Sequence, residues 1–179
     1  PFDAVSKYTL SVLPLFVLMG NLANSANLSR NLYDAAYAVV GHYKGGLAMS
    51  TVGACAGFGM ICGSSIATAA TMSQMAGPEM KRHGYSDALI SGSIASGGTL
   101  GIIIPPSVIL VIYAYLTEQS VQELFFAALI PGLIAVILYM IAIRVYLIIY
   151  PSHGGYGKKM PLNERISAIS KVFPIFLIF

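Results

Sequence analysis

Hydrophobic positions in this chain come in long blocks, with the charges gathered between them. Residues 8–29 carry no charge, and 10–23 are strongly apolar. A block of that size suits one membrane span of about 20 residues, ending in an interfacial stretch with Asn21, Asn24 and Asn27. Residues 30–44 place Leu32, Ala35, Ala36, Val39, Val40 and Tyr43 at helical spacing, with Asp34 and His42 elsewhere. This predicts an amphipathic helix near the interface that connects rather than spans.

Two uncharged blocks follow. Residues 45–78 are too many for one span and too few for two spans with a turn, and Gly63-Ser64-Ser65 lies at their middle. A re-entrant helical hairpin fits: two arms of about 15 residues, each roughly 22 Å long, would meet partway through the bilayer with their tip at 63–68. Residues 79–87 read as a polar loop. Residues 88–117 are again uncharged, but Gly97-Gly98-Thr99-Leu100-Gly101 and Pro105-Pro106 interrupt them near the midpoint, so they read as an unwound span. A short acidic connector at 118–123 leads to a plain apolar span at 124–143 and then to a basic linker at 144–171.

The basic residues test this topology. With a hairpin at 45–78, Arg30, Lys44, Lys81, Arg82, Arg144, Lys158, Lys159, Arg165 and Lys171 all fall on one side, while the Lys/Arg-free connector at 118–123 falls on the other. A single crossing there would put the most basic linker outside. The charge map therefore predicts a hairpin entered from the cytoplasm. The expected organisation is a scaffold-type span with its connecting helix (1–44), the hairpin (45–78), the loop and broken span (79–117), a connector and span (118–150), and a linker leading into a further helix (151–179).

Composition agrees. Hydrophobic residues make up 56% and charged residues 9%, with a mean hydropathy of +0.76, against about 25% charged residues in ordinary soluble domains. The predicted fold is an all-α membrane protein surrounded by the lipid bilayer. A net charge of +3, spread over short connectors, offers no stripe for nucleic acid. Cys55 and Cys62 share one apolar block and read as small packing residues rather than a disulfide or metal pair. The sequence opens on Pro1 and a fresh apolar run stops at Phe179, which reads as a fragment of a longer protein.

Interrupted helices near a bilayer midplane leave carbonyls and half-helix N-termini free to meet ions and anions, an arrangement that secondary transporters use. The hairpin tip offers hydroxyls on Ser64, Ser65, Thr68 and Thr71; the unwound span offers Thr99, Ser107 and the carbonyls of 97–101. All are neutral oxygen donors. Divalent sites recruit carboxylates, and proton relays use Asp, Glu or His, neither of which these blocks contain. A monovalent cation, sodium, is the expected coupling ion. Gly57 and Gly59 read as close-packing positions, and Met60, Met72, Met75 and Met80 as core or interface. No base is available to activate Ser64 or Ser65, so an enzyme is not expected. A channel would call for an open pore.

The stretch Gly63-Ser64-Ser65-Ile66-Ala67-Thr68-Ala69-Ala70, with Pro78-Glu79-Met80-Lys81-Arg82-His83-Gly84-Tyr85 after it, resembles the large membrane subunit of TRAP (tripartite ATP-independent periplasmic) transporters. The likeness continues through Gly98-Thr99-Leu100-Gly101, Ile104-Pro105-Pro106-Ser107, Phe125-Phe126-Ala127-Ala128 and Pro131-Gly132, and upstream at Pro14-Leu15-Phe16 and Gly45-Gly46-Leu47. Cys62 departs from it, standing where the family often has Ser. The resemblance implies an elevator-type fold of two inverted repeats, with this chain covering most of the first. It implies sodium-driven uptake of organic acids such as C4-dicarboxylates or sialic acid across the bacterial inner membrane. The implied partners are a periplasmic substrate-binding protein and a small membrane subunit. It further implies a sodium site at Gly63, Ser65, Thr68, Gly98, Thr99 and Gly101, and a substrate surface at Ser64, Ser65, Thr99, Pro105 and Pro106. The alternatives are an ion-coupled anion transporter working without a binding protein or, further off, a membrane-embedded enzyme.

Overall fold

A chain this apolar must satisfy its backbone polar groups internally, and the computed structural model does so with helices throughout. It describes residues 8–157 and 160–172; within the first helix the side chains of 8–13, 16, 17 and 24 are outside the description. The helices are α1 (Tyr8–Ser25), α2 (Leu28–Val40), α3 (Gly46–Cys62), α4 (Ser65–Arg82), α5 (Asp87–Ile103), α6 (Val108–Thr117), α7 (Val121–Ile149) and α8 (Leu162–Ser170), with a 3-10 turn at Pro151–His153. No β-strand occurs among the described residues, as the apolar blocks predict.

Among the described residues, α7 alone is one helix long and apolar enough to cross a membrane; α5 and α6, bent by 42° at their break, pass that test only as a pair. The first expected span does form a helix, α1, but Asn21, Asn24 and Ser25 dilute its apolar character and it falls outside that set. α7 also runs past the expected span, through Arg144 to Ile149, and leaves large apolar side chains such as Phe126, Ile130, Ile137 and Ile148 exposed along its length.

α3 and α4 fold back on one another. Only Gly63 and Ser64 separate them, and Gly63 takes a left-handed conformation (φ 59°) that a residue with a Cβ adopts at a cost. Near their far ends the Thr51 hydroxyl lies 3.6 Å from Met80 Sδ, and the Leu47 N–H donates to the Tyr85 hydroxyl at 3.3 Å. These contacts define a helical hairpin with its tip at 63–64. The tip is shorter than the sequence suggests, because Ser64 caps α4 by accepting the Ala67 N–H at 3.4 Å, so the helix is already under way at Ser65.

Two other boundaries differ from expectation. α4 continues through Pro78 to Arg82 where a loop was expected from residue 79. Its buried residues, Thr68, Met72, Ala76 and Met80, recur every fourth position, so one packed stripe carries the helix past the proline. The glycine run 97–101 stays helical, and the break falls at 104–107. Gly97 lies against Cys55, Gly98 against Ala69, and Gly101 against Gly59. There the glycines allow close helix approach rather than unwinding.

Outside the hairpin, α2 packs on α3, and α8 crosses the end of α2. Arg165 on α8 donates its Nε–H to the Ala38 carbonyl at 2.6 Å, capping α2 with a cation where the helix leaves carbonyls unpaired.

Candidate functional site at two helix breaks

The break between α5 and α6 follows from Pro105 and Pro106. Neither has an N–H to offer the carbonyls of Gly101 and Ile102, four residues back. Ser107, fully buried, takes over one of them: its hydroxyl donates to Ile102 O at 2.8 Å. The Gly101 carbonyl loses its helical donor. The Pro105–Pro106 peptide is cis.

The hairpin tip lies against this break. A Cβ built on Gly63 would sit 3.3 Å from Val108 N and 3.4 Å from Pro106 O. One on Gly101 would meet Ser64 O and Thr68 Oγ1, each at 3.1 Å. One on Gly98 would lie 2.9 Å from Ala69 Cβ and 3.3 Å from Ser65 O. Two interruptions about 40 residues apart in sequence thus form one neighbourhood of neutral oxygens, and three glycines on its floor let the backbones approach.

Thr68, like Ser107, has no exposed surface. Its hydroxyl donates to Ser64 O at 2.8 Å and lies 3.1 Å from Cys62 Sγ. The Ser64 carbonyl also accepts the Thr68 N–H at 3.1 Å and faces the Cys62 thiol at 3.5 Å. With its proton committed to Ser64 O, Thr68 Oγ1 keeps lone pairs for another partner, which is what a cation ligand needs.

The structure therefore brings together Gly63, Ser64, Ser65, Thr68, Gly98, Gly101 and Pro106, and buries Pro105 beside them. It does not bring Thr99 to them. One residue on from Gly98, Thr99 projects from another side of α5, where its hydroxyl donates to Ser96 O at 2.6 Å and lies 3.3 Å from the Tyr139 hydroxyl of α7. Among the described residues no cluster of His, Cys, Asp and Glu could hold a metal ion, so any cation here would depend on hydroxyls and carbonyls. Sequence reading did not foresee the Cys62 thiol beside Thr68; their spacing on a helix–turn–helix gives no local signal for it.

A family model described as "Tripartite ATP-independent periplasmic transporter, DctM component" matches residues 1–179. The chain belongs to the DctM family. It is 40% identical over 166 residues to the C4-dicarboxylate TRAP transporter large permease protein DctM of Pseudomonas aeruginosa, a match covering 93% of this chain and 37% of that protein. It is 31% identical over 177 residues to the ectoine TRAP transporter large permease protein TeaC of Halomonas elongata, covering 95% and 40%. It is 30% identical over 131 residues to the sialic acid TRAP transporter permease protein SiaT of Haemophilus influenzae, covering 73% and 21%. The chain spans between 21% and 40% of the length of these relatives. The DctM family is described as a transporter component, and these relatives are named as permeases.

Proposed function

We propose that this chain supplies half of the cation and substrate site of a sodium-coupled transporter that takes up organic acids across the bacterial inner membrane. The observation that carries this reading is the meeting of the Gly63–Ser64 tip with the Pro106–Val108 break. Sodium, a hard monovalent cation, suits a set of neutral oxygens without carboxylates. The candidate donors are the Gly101 carbonyl, the Thr68 hydroxyl and carbonyls at Gly63, Ser65 and Gly98. Ser64, Ser65, Pro105 and Pro106 would form the adjoining substrate surface, with the N-terminus of α4 favouring an anion.

In this reading the hairpin is re-entrant and opens toward the cytoplasm. Its support is the gathering of cationic side chains at the hairpin's open end: Arg144 lies over the Tyr43 ring, and Arg165 lies on the last turn of α2. Cargo would arrive from a periplasmic binding protein, with a small membrane subunit assisting, and the tip and break would carry it across as one elevator-like body between alternately exposed states. The 40% identical relative, named for C4-dicarboxylates, makes such diacids the first cargo to try.

Proteoliposomes holding the complete transporter, its small subunit and its binding protein test this directly. A C4-dicarboxylate should accumulate when an inward sodium gradient is imposed and stay out when potassium replaces sodium. Equal uptake under both gradients would overturn sodium coupling. Sodium-driven uptake of sialic acid or ectoine in its place would overturn only the choice of cargo.

A further inference from the structure

The open end of the hairpin carries a second, separate network. α3 begins after Gly45, a glycine at φ 81° with no side chain to cap the first turn. The cap comes instead from another part of the chain: the Leu47 N–H donates to the Tyr85 hydroxyl at 3.3 Å, and that hydroxyl donates onward to the Gly155 carbonyl at 3.0 Å. Gly155 O also accepts the Gly45 N–H at 3.1 Å. Next to Tyr85, the Ser86 N–H donates to His153 O at 3.0 Å, while His153 Nδ1 lies 2.8 Å from the Tyr146 hydroxyl of α7. Segment 153–156 thus ties together the start of α3, the exit from α4, the start of α5 and the end of α7. Tyr85 is buried, which pushes its hydroxyl up to about 12, so it remains a donor across the physiological range.

The position of this network matters because α3 and α5 both begin at it and run parallel. Cys55 meets Gly97 and Gly59 meets Gly101 with the same offset. Each helix has 17 residues, so each measures about 25 Å from the network to its own break. Two rulers of equal length laid from one base bring the Gly63–Ser64 tip level with residues 104–107. The seam between them is lined by glycine at Gly59, Gly97 and Gly101, which presents few side-chain knobs to fix its axial register, and one residue of slip would move the tip by about 1.5 Å.

We propose that Tyr85, clasped to Leu47 and Gly155, is a positioning residue: it fixes the axial register of α3 against α5 and thereby the geometry of the distant tip. This rests on the tip and break forming the cation site proposed above. The test compares full-length transporters carrying Tyr85→Phe or Ser86→Ala. The first removes both hydroxyl bonds and keeps the ring. The second removes the hydroxyl cap of α5 at Leu89 and leaves the Tyr85 bonds in place.

Two readouts are taken: the half-saturating sodium concentration for uptake, and the alkylation rate of the buried tip thiol Cys62 in purified protein, with Cys55 replaced by Ala. Tyr85→Phe should raise the half-saturating sodium concentration and speed Cys62 alkylation, each by about three- to tenfold, the range expected for one or two lost hydrogen bonds. Ser86→Ala should lower Tm through the lost helix cap, with neither effect. Unchanged values in Tyr85→Phe, or equal changes in both variants, would overturn the proposal. A sodium-independent transporter whose Cys62 still reacts faster in Tyr85→Phe would overturn the coupling ion and leave the clasp standing.

Discussion

α3 and α4 are joined by two residues and nearly equal in length, yet they meet their surroundings in different ways. α3 is enclosed on almost every side by α1, α2, α4 and α5, with Leu47, Ala48, Val52, Cys55 and Phe58 all at or below 1% exposure. Its polar residues turn inward on their own helix: Ser50 donates to Gly46 O at 2.7 Å and Thr51 to Leu47 O at 2.8 Å. α4 buries a single stripe and leaves Ile66, Ala67, Ala70, Ser73 and Gln74 exposed. One arm is a packed rod that places the tip; the other carries the tip's hydroxyls and leaves one side exposed. Burial, rather than helix propensity, assigns these roles, since the glycine-rich arm is the enclosed one.

The sharpest way to break this contrast is Gly59→Leu. A Cβ there would lie 2.5 Å from Gly101 Cα, backbone that cannot yield cheaply, so the full-length protein should lose about 3 kcal/mol of stability. A lower Tm, with uptake abolished, would be the signature. A Tm equal to wild type would mean that α3 and α5 are not packed backbone to backbone.

Thr68→Val keeps the volume and removes a buried hydroxyl, and should cost about 1–2 kcal/mol in denaturant unfolding. Ser107→Ala strips Ile102 O of its side-chain donor at the break and should cost about 1 kcal/mol, again read by denaturant unfolding. At the far end of the scale, Ser73→Ala on the open side of α4 should shift stability by less than about 0.5 kcal/mol. A loss there comparable to that of Thr68→Val would erase the difference between the two sides of α4.

Much of this was legible in the chain. Charge-free blocks marked the helices, and Gly63-Ser64-Ser65 at the middle of one block marked a tip at 63–68, which the structure narrows to 63–64 because left-handed Gly63 ends one helix and capping Ser64 begins the next. The position of the second break was not legible from the glycines. Their low helix propensity argued for unwinding at 97–101, but close packing on Cys55, Gly59 and Ala69 holds them helical, and the two prolines set the break instead. The polar residues from 79 onward misled about the end of the second arm, because the buried stripe ending at Met80 carries the helix on past Pro78 to Arg82. Thr99 sits in a motif beside the site residues, yet 3.6 residues per turn sends it toward Tyr139. The clasp joins residues 70 apart, from Tyr85 to Gly155, and nothing local announces it.

The central claim is that the hairpin tip and the proline break form one cation site, with Thr68 in it and Thr99 outside. Sodium titration of the purified full-length transporter, followed by calorimetry, tests it most directly. Thr68→Val should weaken sodium binding about tenfold, the equivalent of one charge-assisted hydroxyl contact, while Thr99→Ala should leave it within about twofold of wild type. Wild-type affinity in Thr68→Val, or a tenfold loss confined to Thr99→Ala, would contradict the account.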